Sequence, residues 1–468
     1  MSKTDGSAVS IDLSAIEALS GTLGGSILTA SSDGYDEARV FWNAMIDKRP
    51  GMIVQCTSTD DVSKVVAFAR AHALLVSIRG GGHNIAGKSL SDGGMLIDLS
   101  GMTGVSVDAG AKTAVVGPGA TLADLDAATQ AHGLITPTGI NSTTGVAGLT
   151  LGGGFGWTSR TLGLTIDNLI SAEMVTAEGE LVTASASDNA DLFWGLRGGG
   201  GNFGVVTSFK FQLHEVGPEV LSGLIVHPFS EAKAVLAQYN EYIANVPDEV
   251  TVWLVARLAP PLPFLPEQVH GTPVLVIAAM YTGDMAAGEE ALKPLRAIGN
   301  PIADVIGPHP FAGWQQAFDP LLTPGLRNYW KTHYFMELSE GWMDALVAAI
   351  GTLPSPHTEI FIGQLGGAVS RVAADATAFG DRSFKFVMNV HGRWETAGED
   401  DAAIGWCRGV YESMAQYSTG GAYMNFLTEE ESARVENVYG ENYERLVELK
   451  RKFDPTNFFR VNQNIDPS

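Results

Sequence analysis

Cysteine is nearly absent: Cys56 and Cys407 are the only two in 468 residues. Two cysteines so far apart give neither a disulfide framework nor a CxxC metal or redox pair. Basic charge is scarce as well. Lys and Arg number 29 against 52 Asp and Glu, a formal net charge of −23. That balance argues against nucleic acid and anionic membrane surfaces as partners. Apolar runs are all too short or too interrupted by charge to span a bilayer. The first residues, Met1 to Ser10, contain no apolar core of a signal peptide, so a cytoplasmic, reducing compartment is expected. No internal repeat and no low-complexity tail occurs. What remains, 45% hydrophobic and 17% charged, is a folded globular protein with volume for two or three domains.

Glycine, by contrast, is abundant, with 55 residues, and it is concentrated in the first 215 or so. The most informative stretch is Arg79-Gly80-Gly81-Gly82-His83-Asn84-Ile85-Ala86-Gly87. It follows Leu74–Ile78, which reads as a buried strand. Glycines there let backbone N–H groups close on a phosphate. A histidine in the middle of such a loop makes sense if the imidazole must touch, or bond to, what the loop holds. The same stretch satisfies GxxxxGK[ST] at Gly82–Ser89, and Met95–Asp98 mimics a strand ending in a metal-binding acid. A P-loop needs a helix to begin at its Lys-Ser, however. Leu90-Ser91-Asp92-Gly93-Gly94 leaves no room for one, so nucleotide hydrolysis is rejected. No metal site is expected.

Two further clusters follow, Gly145–Gly156 and Arg197–Val206. The second contains GxGxxG at Gly199–Gly204. A dinucleotide fingerprint sits after a strand and opens a helix. Here a helix-like Leu192–Leu196 precedes and the strand Val205–Phe211 follows, so a Rossmann fold is rejected. A helix is expected from Thr59, with Val62, Val65, Val66 and Ala69 on one face, and another over Leu122–Gln130. Val105–Val107 and Thr113–Val116 read as paired strands. Beyond about Pro218 glycine thins out. Strand-like runs at Thr251–Ala256, Val274–Tyr281, Tyr329–Phe335, Glu359–Ile362 and Phe384–Val390 alternate with helices such as Trp342–Ile350. They suggest an antiparallel sheet with covering helices. An amphipathic helix from Tyr443 to Phe453 stops before Pro455, and Asn457–Ile465 returns as an extended polar segment.

Three glycine clusters in this order, one with a central histidine, and the ending Phe453-Asp-Pro-Thr-Asn-Phe-Phe-Arg-Val-Asn-Gln-Asn-Ile465 resemble the FAD-linked oxidases of the vanillyl-alcohol oxidase superfamily. The chain is most similar to the berberine-bridge-enzyme-like branch, which includes bacterial 6-hydroxynicotine oxidases. The resemblance spans nearly the whole chain. It implies an α+β fold: a two-subdomain FAD-binding domain (1–215), an antiparallel-sheet substrate domain covered by helices (216–420), and a C-terminal segment (421–468) returning to the first. It implies FAD held by one covalent bond, through His83. Arg79, Gly80, Gly81, Gly82, Asn84 and Gly87 would wrap the pyrophosphate. Asn141, Thr144, Gly145, Gly148, Gly153, Gly154 and Gly156, with Gly204, Val205 and Val206, would flank the pyrophosphate, ribose and flavin ring. Asn462 and Asn464 belong to the closing segment that reaches the cofactor.

Three departures from the family pattern matter. Bicovalent members carry a second linking cysteine where this chain has Asn141. Members with the Tyr-x-Asn-Tyr base have a second tyrosine where this chain has Phe426, in Tyr423-Met424-Asn425-Phe426. The position that gates oxygen access is Thr144, as in members that form a flavin-N5-oxide. A hydroxyl substrate needs a base. Tyr329, Lys331, His333, Gln364, His391 and Tyr423 are candidates, and Tyr329, Lys331 and His333 alternate along one strand face. We assign Tyr423, Lys331, His333 and Thr144 to the chemistry. Trp330, Tyr334 and Trp394 could line an aromatic pocket. The implied function is oxidation of a small aromatic or heterocyclic alcohol or amine, with O2 as acceptor giving peroxide, by a monomer or homodimer. Alternatives are an oxygenase of specialised metabolism and a metabolite-binding flavoprotein without turnover.

Overall fold

A computed structural model describes residues 1–468. Two sheets form the glycine-rich half. In the first, Ser26–Leu28, Met52–Gln55, Met95–Asp98 and Val76–Arg79 lie in that spatial order. The last three are parallel and the first antiparallel. Met95–Asp98 is buried at every position, as a central parallel strand covered on both faces requires. The helix Thr59–Ala71 starts where Ser58 Oγ accepts the Asp61 N–H. It lays Val62, Val65, Val66 and Ala69 on the sheet, as their spacing predicts.

Parallel register sets Arg79 opposite Asp98. The guanidinium makes two hydrogen bonds to that buried carboxylate, Nε–Oδ1 at 3.2 Å and Nη2–Oδ2 at 2.6 Å. This pair pins the strand end from which the histidine loop departs. Removing Arg79 would leave Asp98 charged and unpaired at 1% exposure. Arg79→Ala should therefore cost about 3–5 kcal/mol of stability, read as a lower urea midpoint. A change below about 0.5 kcal/mol would contradict this role.

The second sheet is antiparallel, with strands Val105–Asp108, Thr113–Val116, Val205–Gln212, Leu169–Val175 and Leu181–Ser185 in spatial order. Phe209 and Phe211 on its inner face meet Leu446, Leu449 and Ile465 from the C-terminal segment. Lys450 of the helix Tyr443–Phe453 is fully buried there. Its ammonium donates to Asp454 Oδ2 (2.6 Å) and to the carbonyls of Asn202 (2.7 Å) and Phe459 (2.9 Å). Three acceptors satisfy its three protons, and the end of the chain is fastened to the third glycine cluster.

The third sheet is antiparallel and has eight strands. Its order runs Ala303–Asp304, Glu219–Pro228, Pro273–Tyr281, Val250–Leu258, Glu359–Gln364, Phe386–Trp394, Arg327–Phe335, and Gly307–Pro310 also pairs with Glu219–Pro228. Helices Ala232–Ile243, Glu340–Ile350 and Asp400–Met414 cover one face through Leu236, Trp342, Leu346 and Cys407. The other face turns toward the glycine loops. Both faces are buried, so Val250–Arg257 is apolar almost throughout. The strand Glu219–Pro228 and the helices Ala232–Ile243, Met285–Arg296 and Asp400–Met414 are additional to the elements expected from sequence. Met285–Arg296 contains Pro294 within its last turn, a residue that reads as a terminator. No helix is long and apolar enough to cross a membrane.

Candidate active site

The first two glycine clusters meet backbone to backbone. A Cβ added to Gly81 would lie 2.4 Å from Gly145 N, and one added to Gly145 would lie 2.5 Å from Gly81 N. Only glycine at both positions lets the loops touch, so a wall of bare backbone forms from segments about sixty residues apart. Gly82 has a φ of +69°, a left-handed turn that carries His83 inward. The next regular element after Lys88 is the strand Met95–Asp98. Lys88 pairs with Glu429 at 3.4 Å, and Asp98 with Arg79, so neither serves as in a P-loop.

These loops, the third cluster and the closing segment surround a cavity of about 320 Å³. Of the residues expected to hold the cofactor, Gly80–Asn84 line it, as do Asn141, Thr144, Gly145 and Gly148. Gly204, Val205, Val206 and Asn462 complete the set. The others stand behind this wall. Arg79 is spent on Asp98, Gly87 packs on Ile46, Gly153 on Phe379, and Gly156 on the Thr138 carbonyl. Gly154 donates its N–H to the Tyr423 hydroxyl at 2.9 Å. Asn464 lies outside the lining, with a buried Oδ1 that has no partner. At the cavity, Asn462 Oδ1 and Gln463 Oε1 are also buried without a partner. Orphaned acceptors of that kind are normally satisfied by a ligand or water. A backbone-lined cradle with free acceptors beside it fits a phosphate-bearing cofactor with a polar ring.

His83 stacks on Trp42 at 4.8 Å between centroids, and its Nε2 lies 2.9 Å from Thr143 Oγ. Desolvation, with the Arg393 charge adding to it, lowers its pKa to about 4. The imidazole is therefore neutral at physiological pH.

The opposite end of the cavity is aromatic. Phe155, Trp253, Trp330, Phe361 and Phe426 line it, all from the large sheet and the segments facing it. Within it sits a pair that sequence alone did not join. Register places Glu359 directly across from His391. His391 Nδ1 lies 3.1 Å from Glu359 Oε1, and Arg257 Nη1 donates to Glu359 Oε2 at 2.8 Å. Burial pushes the Glu359 carboxyl up, but the Arg257 charge and the bond from His391 outweigh it and hold the pKa at about 2. An ionised carboxylate can only accept, so Nδ1 of His391 carries a proton, and the ring nitrogen turned away from Glu359 is Nε2. That Nε2 is buried without a partner. The ring stacks on Trp330 at 4.4 Å.

Tyr423 also lines the cavity. Its oxygen accepts from Gly154 N–H and from Asn425 Nδ2 at 3.0 Å. Burial raises its pKa to about 12 despite those two bonds, so it keeps its proton and acts as a donor. Phe426 packs edge-on to Tyr423 at 4.8 Å and to His391 at 6.2 Å.

Lys331 and His333 do share a face with Tyr329, but it is the helix-covered one. Lys331 Nζ pairs with Glu430 at 2.6 Å and Glu431 at 3.4 Å. His333 Nε2 meets the Tyr411 carbonyl at 2.9 Å, and the two rings stack at 4.1 Å. Tyr329 bonds Glu430. All three point away from the cavity, and Trp330 between them points into it. Gln364 accepts the Val252 N–H and likewise lies outside the lining. The expectation of chemistry at Lys331 and His333 is thus corrected: alternation fixed a common face without fixing which side of the sheet it was. Trp330 lines the cavity as expected, whereas Trp394 belongs to the core under the helices.

These features define a flavin-binding fold in which the large antiparallel sheet faces the glycine loops across the cavity. Residues 50–185 match the FAD binding domain family, and residues 422–466 match the "Berberine and berberine like" family. An FAD-linked oxidoreductase of Dictyostelium discoideum is 33% identical over 91% of each chain. The (R)-6-hydroxynicotine oxidase of Paenarthrobacter nicotinovorans is 28% identical over 95% of this chain and 97% of its own. The crystal structure of 6-hydroxy-D-nicotine oxidase from Arthrobacter nicotinovorans superposes with a TM-score of 0.85 at 26% identity, covering 96% of this chain and 99% of that one. The chain belongs to the berberine-bridge-enzyme-like family of FAD-linked oxidoreductases.

Proposed function

We propose that the protein is an oxidase of a small aromatic alcohol or phenol, with FAD covalently attached at His83 and O2 as final acceptor, giving peroxide. The observation that carries this reading is the His391–Glu359 pair in the aromatic end of the cavity. FAD, when bound in the glycine cradle, supplies the hydride acceptor and the reaction with O2. His391 Nε2 accepts the substrate hydroxyl proton, Glu359 holds the imidazole in the required tautomer, and Arg257 keeps Glu359 ionised. Trp330 and Phe361 orient a planar substrate by stacking. Tyr423 donates a hydrogen bond from the side. In this reading residues 1–215 form the FAD domain, 216–420 the substrate domain and 421–468 the returning segment, and Thr144 lines the cavity.

The wall also disfavours other substrates. Glu359 is already neutralised by Arg257, so an amine cation would find no free carboxylate and would stay unpaired in an apolar site. Oxygen uptake with matched peroxide release tests the reading. Label from ¹⁸O2 in the organic product would instead support an oxygenase.

Thr144 supports that second reading, because its hydroxyl makes no hydrogen bond and the residue lines the cavity. If Thr144 only leaves space for O2, Thr144→Val should reoxidise at the wild-type rate and Thr144→Leu at least ~10-fold more slowly, since a branched side chain there would fill the approach. If the hydroxyl orients a flavin–oxygen adduct, valine alone should abolish oxygen incorporation and spare hydride transfer. Stopped-flow reoxidation separates these outcomes. Equal behaviour of all three proteins would reduce Thr144 to packing.

A further inference from the structure

An imidazole has two nitrogens, and only one can bond to a flavin carbon. The residues beside His83 select it. The Thr143 backbone N–H, which can only donate, meets Asn141 Oδ1 at 3.2 Å. That contact fixes the Asn141 amide with its oxygen toward Thr143, while Nδ2 reaches the Leu322 carbonyl at 3.4 Å. The Thr143 hydroxyl lies 2.7 Å from the same Oδ1, an atom that only accepts, so the hydroxyl proton is committed there. What Thr143 Oγ then offers His83 Nε2, 2.9 Å away, is a lone pair. Nε2 must carry the ring hydrogen. The ring is neutral, so Nδ1 carries the lone pair, and no hydrogen bond occupies Nδ1.

We propose that Asn141 and Thr143 are positioning residues for cofactor attachment, holding His83 as the Nε2–H tautomer so that the bond to the flavin 8α carbon forms at Nδ1. The inference rests on the reading of His83 as the attachment residue. Asn141 stands where bicovalent relatives carry their second linking cysteine, so here that position serves the histidine bond instead of a bond of its own. In the attachment step one C–H bond of the 8α-methyl breaks and the Nδ1–C bond forms from the imidazole lone pair. The electron pair of the broken bond stays on the ring system, which is thereby reduced by two electrons. The methyl proton and the Nε2 proton pass to the reduced ring or to solvent; Thr143 is solvent-exposed, so water lies beyond it. O2 then takes the two electrons back and leaves as hydrogen peroxide.

The test is the chemical identity of the link in purified full-length protein. The flavopeptide released by proteolysis is compared chromatographically with authentic Nδ1- and Nε2-linked histidylflavins. Wild type should give the Nδ1 isomer alone. Thr143→Val and Asn141→Leu should lower the Nδ1-to-Nε2 ratio roughly 2- to 10-fold, the bias that one ordinary hydrogen bond supplies. Thr143→Ser, which keeps the hydroxyl, should restore the single isomer, as a merely structural role would not require. An Nε2 link in wild type overturns the relay and leaves attachment at His83 standing. So does an unchanged pure Nδ1 product in both Thr143→Val and Asn141→Leu. Flavin that washes off denatured wild type overturns the attachment reading and the relay with it.

Discussion

Replacing His391 with alanine should slow hydride transfer ~10²–10⁴-fold, the usual contribution of a positioned general base. The flavin should stay bound, because His391 lies at the aromatic end of the cavity and not in the glycine cradle. The Arg257–Glu359 pair, at 2.8 Å, survives the change, so the sheet keeps its internal charge balance. Glu359→Gln should give a smaller defect of the same kind, since it no longer enforces the Nδ1–H tautomer. A His391→Ala enzyme with wild-type kcat/KM at every pH would remove the base from His391. Tyr423 would not inherit the role, because burial holds its phenol at about 12.

His83→Ala should release all of the flavin on acid or denaturant precipitation, whereas the wild-type pellet should stay yellow. The expected effect is close to all-or-none, because neither cysteine lines the cradle. Cys56 and Cys407 are both buried, and burial pushes both thiols up to about 12, which makes them poor nucleophiles. Peptide mapping should find flavin only on the His83 peptide. Recovery of flavin on either cysteine peptide would contradict the assignment. The neutral imidazole, lowered to about 4, is the form that has a lone pair to give.

Several of these features were legible in the sequence because they depend on local chemistry. Glycine clusters announce close backbone approach, and Gly81 and Gly145 do meet at distances no Cβ allows. The helix Leu122–Gln130 lies where the sequence reading puts it, and the structure shows Thr121 and Asp124 closing its start as a capping box. Strand runs in the second half were visible as apolar segments, and all five belong to the large sheet. The base was harder to read. Glu359 and His391 are 32 residues apart, and only register across two strands makes them a pair. Lys331 and His333 show the complementary failure. Period-two alternation groups residues by face, but both faces of this sheet are buried, so hydrophobicity gave no cue to which face was the site. The tautomer-setting contacts at Asn141 and Thr143 depend on distances of a few tenths of an ångström, which no spacing encodes.

Anaerobic mixing of the purified yellow protein with matched aromatic alcohols, aromatic amines and oligosaccharides tests the central claim most directly. Loss of flavin absorbance reports the hydride step alone. The account predicts rapid bleaching by an aromatic alcohol or phenol in wild type and ~10²–10⁴-fold slower bleaching in His391→Ala. Bleaching by amines or oligosaccharides alone, or a rate independent of His391, would contradict it.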